Sequence, residues 1–390
     1  MKTISSATTF LIIYFIINLL NYPLDTKLAV YIASVGIIFQ SMSETVNSLF
    51  RAHERMEFEA LTKIVRVSAR FLVTIPLLFL GFGLIPVIVV YAVVQFLSFF
   101  VSIVIYYLKI SKPELSFNLN LIKHLIKKGF PFALSAVFVV IYFRIDITML
   151  SLMKGDSVVG WYSAAYNLID ALTSIPIALS AALLPVAVRY YNVAKQKLVD
   201  IYTLSTRYLT YLSFPIATGT VILADKIILS VYGEKYINSV PALQILVAVL
   251  VPLFIVYMMG VVMIAIHKEK IAMWVLFFNC VVNITLNLVL IPKYSLVGAA
   301  IATIVSEIFY LSMYHFIISK YFFRLNIASL VIRPFFASMI MGVFVYYARN
   351  LNLFIVVFAA ALVYAAVVIM SGGLSLEDKK LFFKLLRRRG

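Results

Sequence analysis

Apolar residues in this chain run continuously, for roughly twenty positions at a time, between short polar segments. Twelve such runs stand out, near 6–22, 27–50, 64–80, 84–108, 131–153, 161–188, 208–223, 240–266, 271–291, 296–319, 331–347 and 352–370. A helix crossing a ~30 Å hydrocarbon core needs about 20 apolar residues, so the pattern predicts about twelve membrane-spanning α-helices. A transmembrane barrel would alternate apolar and polar positions, and these runs do not. The fold class expected is all-α and polytopic. Composition agrees: 64% of the 390 residues are hydrophobic and 13% charged, with mean hydropathy +1.05. A soluble domain is about half apolar and a quarter charged, and no water-soluble fold of this length could hide so much apolar surface.

The net charge of +17 would suggest nucleic acid in a soluble protein, but here its position along the chain decides. With an even number of spans both termini share a side, and the basic tail (Lys379, Lys380, Lys384, Arg387, Arg388, Arg389) places that side in the cytoplasm. Sorted by the side they lie nearer, 26 of the 33 Lys and Arg then fall on inner segments or inner ends of spans and 6 on the outer side, while Arg144 lies deep within a span. That asymmetry follows the positive-inside rule, so the charge sets topology and no nucleic-acid partner is expected. The expected location is the plasma or inner membrane. Lys2 and the apolar stretch after it lack a small-residue cleavage site and read as a retained first helix. Cys280 lies within a span and cannot form an intramolecular disulfide. His53, His124, His267 and His315 are scattered, so neither a metal site nor a cofactor is expected.

The junction between the second and third runs, Phe50-Arg51-Ala52-His53-Glu54-Arg55, resembles Ile266-His267-Lys268-Glu269-Lys270 between the eighth and ninth. Two spans of matching length follow each, so spans 1–4 read as a weak copy of spans 7–10; chance similarity of short basic loops is the alternative. Transporters are commonly built from such repeats, with the substrate near the midplane. The expected organisation is an N-terminal lobe of four helices (1–110), an interfacial linker helix (111–130), a C-terminal lobe of six helices (131–320), and a terminal helix pair with a basic tail (321–390). In the linker, Leu121, Ile122, Leu125 and Ile126 recur at helical spacing against Lys123, Lys127 and Lys128, a pattern suited to the membrane surface. It is either a hinge strap or a plain basic connector.

Charges inside spans cost a few kcal/mol even on insertion scales and are functional candidates by default. Four stand out: Arg144, Asp146, Asp170 and Glu307. Arg144 lies nine residues before the outer end of span 5 and Asp170 nine residues after the outer start of span 6. At 1.5 Å per residue both sit about 13 Å deep, so antiparallel neighbours can pair them. Asp146, two residues from Arg144, points about 200° away around the helix; one side chain should face a cavity and the other a neighbouring helix. Glu307, near the middle of span 10, is either a coupling carboxyl for a proton or cation, or a buried structural group. Asn279, Asn283 and Asn287 form one polar stripe on span 9, as helix-packing contacts or as cavity lining. Tyr142, Tyr162, Tyr166 and Asn167 accompany the charges. Trp161, beside a loop, reads as an interface anchor, and an interface anchor is the alternative for Tyr162.

The stretches Phe143-Arg144-Ile145-Asp146-Ile147-Thr148-Met149-Leu150, Val159-Gly160-Trp161-Tyr162-Ser163-Ala164-Ala165-Tyr166 and Leu184-Pro185-Val186 resemble the seventh and eighth helices of oligosaccharide flippases. Gly155-Asp156, Gly233-Glu234-Lys235-Tyr236, Gly298-Ala299-Ala300-Ile301-Ala302-Thr303 and the Glu54-Arg55 junction fit the same pattern. These are polysaccharide biosynthesis proteins of the Wzx type, in the multidrug/oligosaccharidyl-lipid/polysaccharide (MOP) exporter superfamily. The resemblance implies fourteen helices in two six-helix lobes plus a terminal pair. This chain matches helices three to fourteen and is expected to lack the first two. It implies a substrate, an oligosaccharide on a polyprenyl diphosphate, turned from the cytoplasmic to the outer leaflet by alternating access, with glycan-assembly proteins as possible partners. It implies a binding site at Arg144, Asp146, Asp170, Asn167, Tyr142 and Tyr166, with Arg144 for the anion, Asp146 and Asp170 for positioning or gating, and Glu307 for coupling. Two alternatives remain at this stage: a drug/cation antiporter of the same superfamily, and an inactive truncated scaffold. An enzyme is not expected, because the outer loops are short and no Walker, G-x-S-x-G or H-E-x-x-H motif occurs.

Overall fold

The computed structural model describes residues 2–19, 22–53, 55–110 and 119–372, and within them every regular element is helical. They are α1 (Lys2–Leu19), α2 (Leu24–Ala52), α3 (Met56–Phe79), α4 (Leu84–Lys109), α5 (Leu119–Lys154), α6 (Asp156–Val193), α7 (Lys195–Tyr232), α8 (Val240–Leu246), α9 (Leu250–Ala265), α10 (Glu269–Tyr321), α11 (Ile327–Ala348) and α12 (Leu353–Met370). Short 3₁₀ turns precede α8 and join it to α9. Each of the twelve apolar runs falls on helix, the eighth on α8 with α9 and the ninth and tenth on the two arms of α10. Nine helical segments among the described residues are long and apolar enough to cross a membrane, α10 counting once. Helix α3 is not among them: Lys63, Arg66 and Arg70 lower its hydropathy. The outer faces carry many exposed Leu, Ile, Val and Phe side chains, as hydrocarbon solvent requires. The protein is a multi-pass membrane protein.

The chain divides into two compact units, Met1–Leu119 and Asn120–Gly390. In the first, α2 packs along α4. Gly36 permits the contact, because a Cβ there would lie 2.6 Å from the Tyr91 ring. Partly buried polar contacts add specificity: the Tyr91 hydroxyl and Gln95 amide both donate to Gln40 Oε1 at 2.8 and 3.2 Å. Glu44 lies 3.7 Å from Arg66 of α3.

In the second unit α5 runs unbroken from Leu119, so the backbone of the predicted linker from residue 119 onward continues directly into the first helix of this unit. Residues 111–118 and the tail from 373 lie outside the described residues. Helices α6 and α7 have 38 residues each, about 57 Å long, longer than a ~30 Å hydrocarbon core requires. Helix α10 would be about 80 Å long if straight, and it is not straight. Ser295 breaks it at φ 53°, ψ −131°, a strained conformation for a residue with a Cβ, and the chain returns antiparallel. At this fold-back a Cβ on Gly298 would lie 2.3 Å from the Leu290 carbonyl oxygen, so only glycine fits. Lys154 of α5 ties the turn by donating to the Pro292 carbonyl at 2.8 Å.

The repeat junctions share a local geometry. Arg55 N donates to Phe50 O and Lys268 N to Met263 O, both at 2.9 Å and both spanning five residues, the longer bond of a Schellman helix ending. Helices α11 and α12 pack on α7, where Gly342 brings α11 close to Thr218. Their small core is Leu223, Met341, Val345, Val356 and Ala360.

Gly298→Ala is expected to lower stability by about 1–3 kcal/mol through overpacking against backbone, while Ser295→Gly relieves strain and leaves stability equal or higher. Thermal unfolding of the purified chain in detergent measures both.

Candidate functional site

The charges singled out in the sequence all lie in the second unit, on α5, α6 and the second arm of α10. Two faces of α5 separate them. Val137, Val140, Arg144 and Thr148 are exposed, whereas Tyr142, Asp146, Met149 and Leu150 are buried. Helix α6 turns Tyr162, Ala165, Tyr166, Ile169 and Thr173 inward at helical spacing and leaves Asn167 outside.

Asp146 is 2% exposed and accepts three hydrogen bonds. Asn287 Nδ2 donates to one carboxyl oxygen at 3.0 Å. The other takes the Tyr162 hydroxyl at 2.9 Å and the Thr303 hydroxyl at 2.8 Å. One carboxyl thereby joins α5, α6 and both arms of α10. The network extends along the hairpin: Asn283 Oδ1 accepts from Asn287 at 3.0 Å, and Asn283 Nδ2 donates to Ser306 Oγ at 3.1 Å. Asn279, Asn283 and Asn287 are all fully buried, so the stripe packs helix on helix and does not line an open cavity. Tyr162 is fully buried too. Of the two readings for Tyr162 the interface anchor is corrected and the place beside the charges is the one observed: the ring turns into the bundle, where its hydroxyl satisfies Asp146. Trp161 stays near the surface, with Nε1 donating to the Lys235 carbonyl at 3.1 Å.

On the opposite face of α5, Arg144 Nη2 lies 3.1 Å from Asp170 Oδ2, the contact expected from equal depth on antiparallel helices. The side chains are 53% and 32% exposed. The guanidinium carbon is 6.0 Å from the centre of the Tyr166 ring. A guanidinium carries five N–H donors in a planar fork, and the bond to Asp170 engages one nitrogen. The remaining donors can take an anion's oxygens without breaking buried structure. Asn167, three residues before Asp170, is exposed as well.

Glu307 is 1% exposed. The Tyr142 hydroxyl donates to its Oε2 in a short hydrogen bond, and Oε1 is buried without a hydrogen-bond partner. Glu307 lies one turn beyond Thr303, and with Tyr142, Tyr166 and Asp170 both border a cavity of about 20 Å³, room for about one water. The structure thus groups the predicted residues in two states. Arg144, Asp170 and Asn167 are accessible, while Asp146, Tyr142, Tyr166 and Glu307 are enclosed. Asp146 and the two tyrosines are therefore closed to direct ligand contact in this conformation. Sequence reasoning missed Tyr162 and Thr303 as partners of Asp146. Thr303 had a signal, lying one turn from Glu307 in the segment Gly298–Thr303. Among the described residues no group of three or more His, Cys, Asp or Glu could hold a metal ion.

Asp146→Ala removes the shared acceptor of three hydrogen bonds and is expected to destabilise the chain severalfold more than Thr303→Val, which removes one hydrogen bond to that carboxyl worth about 0.5–1.5 kcal/mol. Unfolding midpoints in detergent give the comparison.

The family signature described as polysaccharide biosynthesis protein matches residues 1–191, and that described as MatE matches residues 131–289. No curated protein sequence matches the chain. Among solved structures, the lipid II flippase MurJ in an inward closed conformation superposes with a TM-score of 0.77 at 17% identity, over 98% of this chain and 82% of that one. A MOP superfamily transporter from Pyrococcus furiosus gives 0.61 at 15% identity, over 82% and 76%. An outward-facing multidrug resistance MATE family transporter gives 0.61 at 14% identity, over the same shares. The two signatures, which overlap on α5 and α6, and the fold shared with these structures support a transporter of the MOP exporter type rather than an enzyme.

Proposed function

We propose that this protein is a flippase that turns an oligosaccharide on a polyprenyl diphosphate from the cytoplasmic to the outer leaflet, for surface polysaccharide or glycan assembly. The observation that carries this reading is the accessible Arg144–Asp170 pair within two predominantly apolar spans. The transport problem is to carry a polar, anionic headgroup past hydrocarbon while its tail stays in lipid. A guanidinium matches phosphate oxygens in a bidentate way, and a diphosphate brings more negative charge than Asp170 does. Asp170 holds the arginine extended in the absence of substrate and yields it when the headgroup arrives. Asn167, exposed one turn before Asp170 on α6, is the further polar group offered to the headgroup, while Tyr166 backs the arginine from inside the bundle. Asp146 positions Arg144 by locking the other face of α5, and Glu307, with one oxygen unpartnered, is the coupling carboxyl. The chain works in the plasma or inner membrane with both termini cytoplasmic, by alternating access.

The match of the MatE signature over 131–289 favours a second reading, drug/cation antiport. The exposed cation at Arg144 suits an anion better than a cationic drug, and for that reason the flippase reading is preferred.

Arg144→Ala is expected to slow headgroup translocation of a fluorescent polyprenyl diphosphate disaccharide in proteoliposomes by about tenfold or more, about 1.4 kcal/mol, with Arg144→Lys between it and the native chain. An unchanged rate in Arg144→Ala, with the protein folded, overturns the assignment.

A further inference from the structure

Away from the Arg144 site, two arginines face one cleft where α7, α11 and the end of α12 meet. Arg207, Tyr211, Ser329 and Arg333 line this cleft of about 380 Å³, with Gly372 at its edge. Arg333 Nη1 donates to the Gly372 carbonyl at 3.3 Å. Among the described residues no carboxylate forms an ion pair with either guanidinium. Arg207 stands immediately before the apolar stretch of α7 that begins at Tyr208, and beside Arg333 the side chains of Ile332, Phe335 and Phe336 are exposed. Both cations therefore stand at the level where headgroups meet hydrocarbon.

Tyr211 also begins a second cavity, of about 380 Å³, that runs between α7, α11 and α12. Its walls include Leu212, Ile216, Met341, Val357 and Ala361. The Tyr364 hydroxyl on that wall is already used, donating to the Tyr211 carbonyl at 2.9 Å. From Tyr211 to Ile227 the groove follows α7 for about 24 Å, more than the ~15 Å depth of one leaflet's hydrocarbon. A cationic end joined to an apolar groove of that length has the two-part chemistry of an anionic lipid.

We propose that this cleft binds an anionic phospholipid of the surrounding bilayer, its phosphate between Arg207 and Arg333 and an acyl chain along the groove beside α7. A zwitterionic lipid would leave the paired cations uncompensated, and a soluble anion would leave the groove unfilled. Basic pockets between membrane helices bind acidic headgroups through the same charge complementarity. The site is built on α7, α11 and α12, whereas Arg144 and Asp170 lie on α5 and α6, so it stands or falls independently of the transport reading.

The test is native mass spectrometry of the full chain in detergent, incubated with equal phosphatidylglycerol and phosphatidylcholine, and separately with phosphatidylglycerol and undecaprenyl phosphate. The native chain is expected to retain phosphatidylglycerol over phosphatidylcholine by about tenfold, with the preference falling as salt rises. Arg207→Gln/Arg333→Gln should remove most of that preference, Arg207→Lys/Arg333→Lys should keep most of it, and Lys195→Gln/Lys197→Gln, on the same helix away from the cleft, should leave it unchanged. If the glutamine pair does not fold, each single Arg→Gln variant should lose part of the preference. Equal retention of the two phospholipids by the native chain overturns the proposal. So does an undiminished preference in folded glutamine variants, or displacement of phosphatidylglycerol by undecaprenyl phosphate in the native chain but not in the glutamine variants, which would give the cleft to a prenyl carrier.

Discussion

A carboxyl group inside a membrane bundle must find its donors within the protein, since hydrocarbon offers none. Asp146 meets that constraint with a donor from each of three neighbours: Tyr162 of α6, Asn287 of the first arm of α10 and Thr303 of the second. The mutual placement of α5, α6 and the two arms of α10 is tied to it. The fold-back at Ser295 brings Asn287 and Thr303 to one carboxyl, Gly298 lets the arms approach closely enough, and the Asn283–Ser306 bond keeps them in register one turn further on. With α5 fixed by its buried face, the residue two positions earlier is held on the opposite face, and that residue is Arg144.

This arrangement separates structural charge from available charge. The polar groups around Asp146 are neutral donors turned onto one buried carboxyl, which would lose acceptor bonds if they moved. Arg144 and Asp170 are partly exposed and joined through a single nitrogen, so they can exchange partners at small cost to the fold; exposed pairs contribute about 0–1 kcal/mol. A transporter that must bind and then release an anionic headgroup gains from that contrast. A rigid buried network sets the place, and a loosely paired guanidinium makes the contact.

Much of this was legible in the sequence, and the limits have physical causes. Span positions follow from apolar run length, which one helix determines by itself. The Arg144–Asp170 contact followed from depth alone, because two adjacent antiparallel helices joined by a short turn leave little freedom of register. The opposite orientation of Asp146 followed from two residues being about 200° of helix. The partners of Asp146 were not legible, since they come from positions 16, 141 and 157 residues away and depend on how α10 folds back. For the same reason the choice for Tyr162 between a partner of the charges and an interface anchor stayed open: its place beside a loop was visible, and the buried acceptor that draws it inward was not. The asparagine stripe was visible as a pattern, but only the second arm of α10, with Ser306, shows that it packs against protein.

The central claim is that Arg144 is held by Asp170 in the absence of ligand and is handed to an anionic headgroup on binding. The affinity of the purified chain for a short prenyl diphosphate, compared with Asp170→Asn and Arg144→Gln, tests this most directly. If Asp170 competes for the guanidinium, Asp170→Asn binds severalfold more tightly than the native chain and Arg144→Gln more weakly. If Asp170→Asn instead weakens binding as much as Arg144→Gln does, Asp170 is a fixed part of the site and the account of a transferable arginine is wrong.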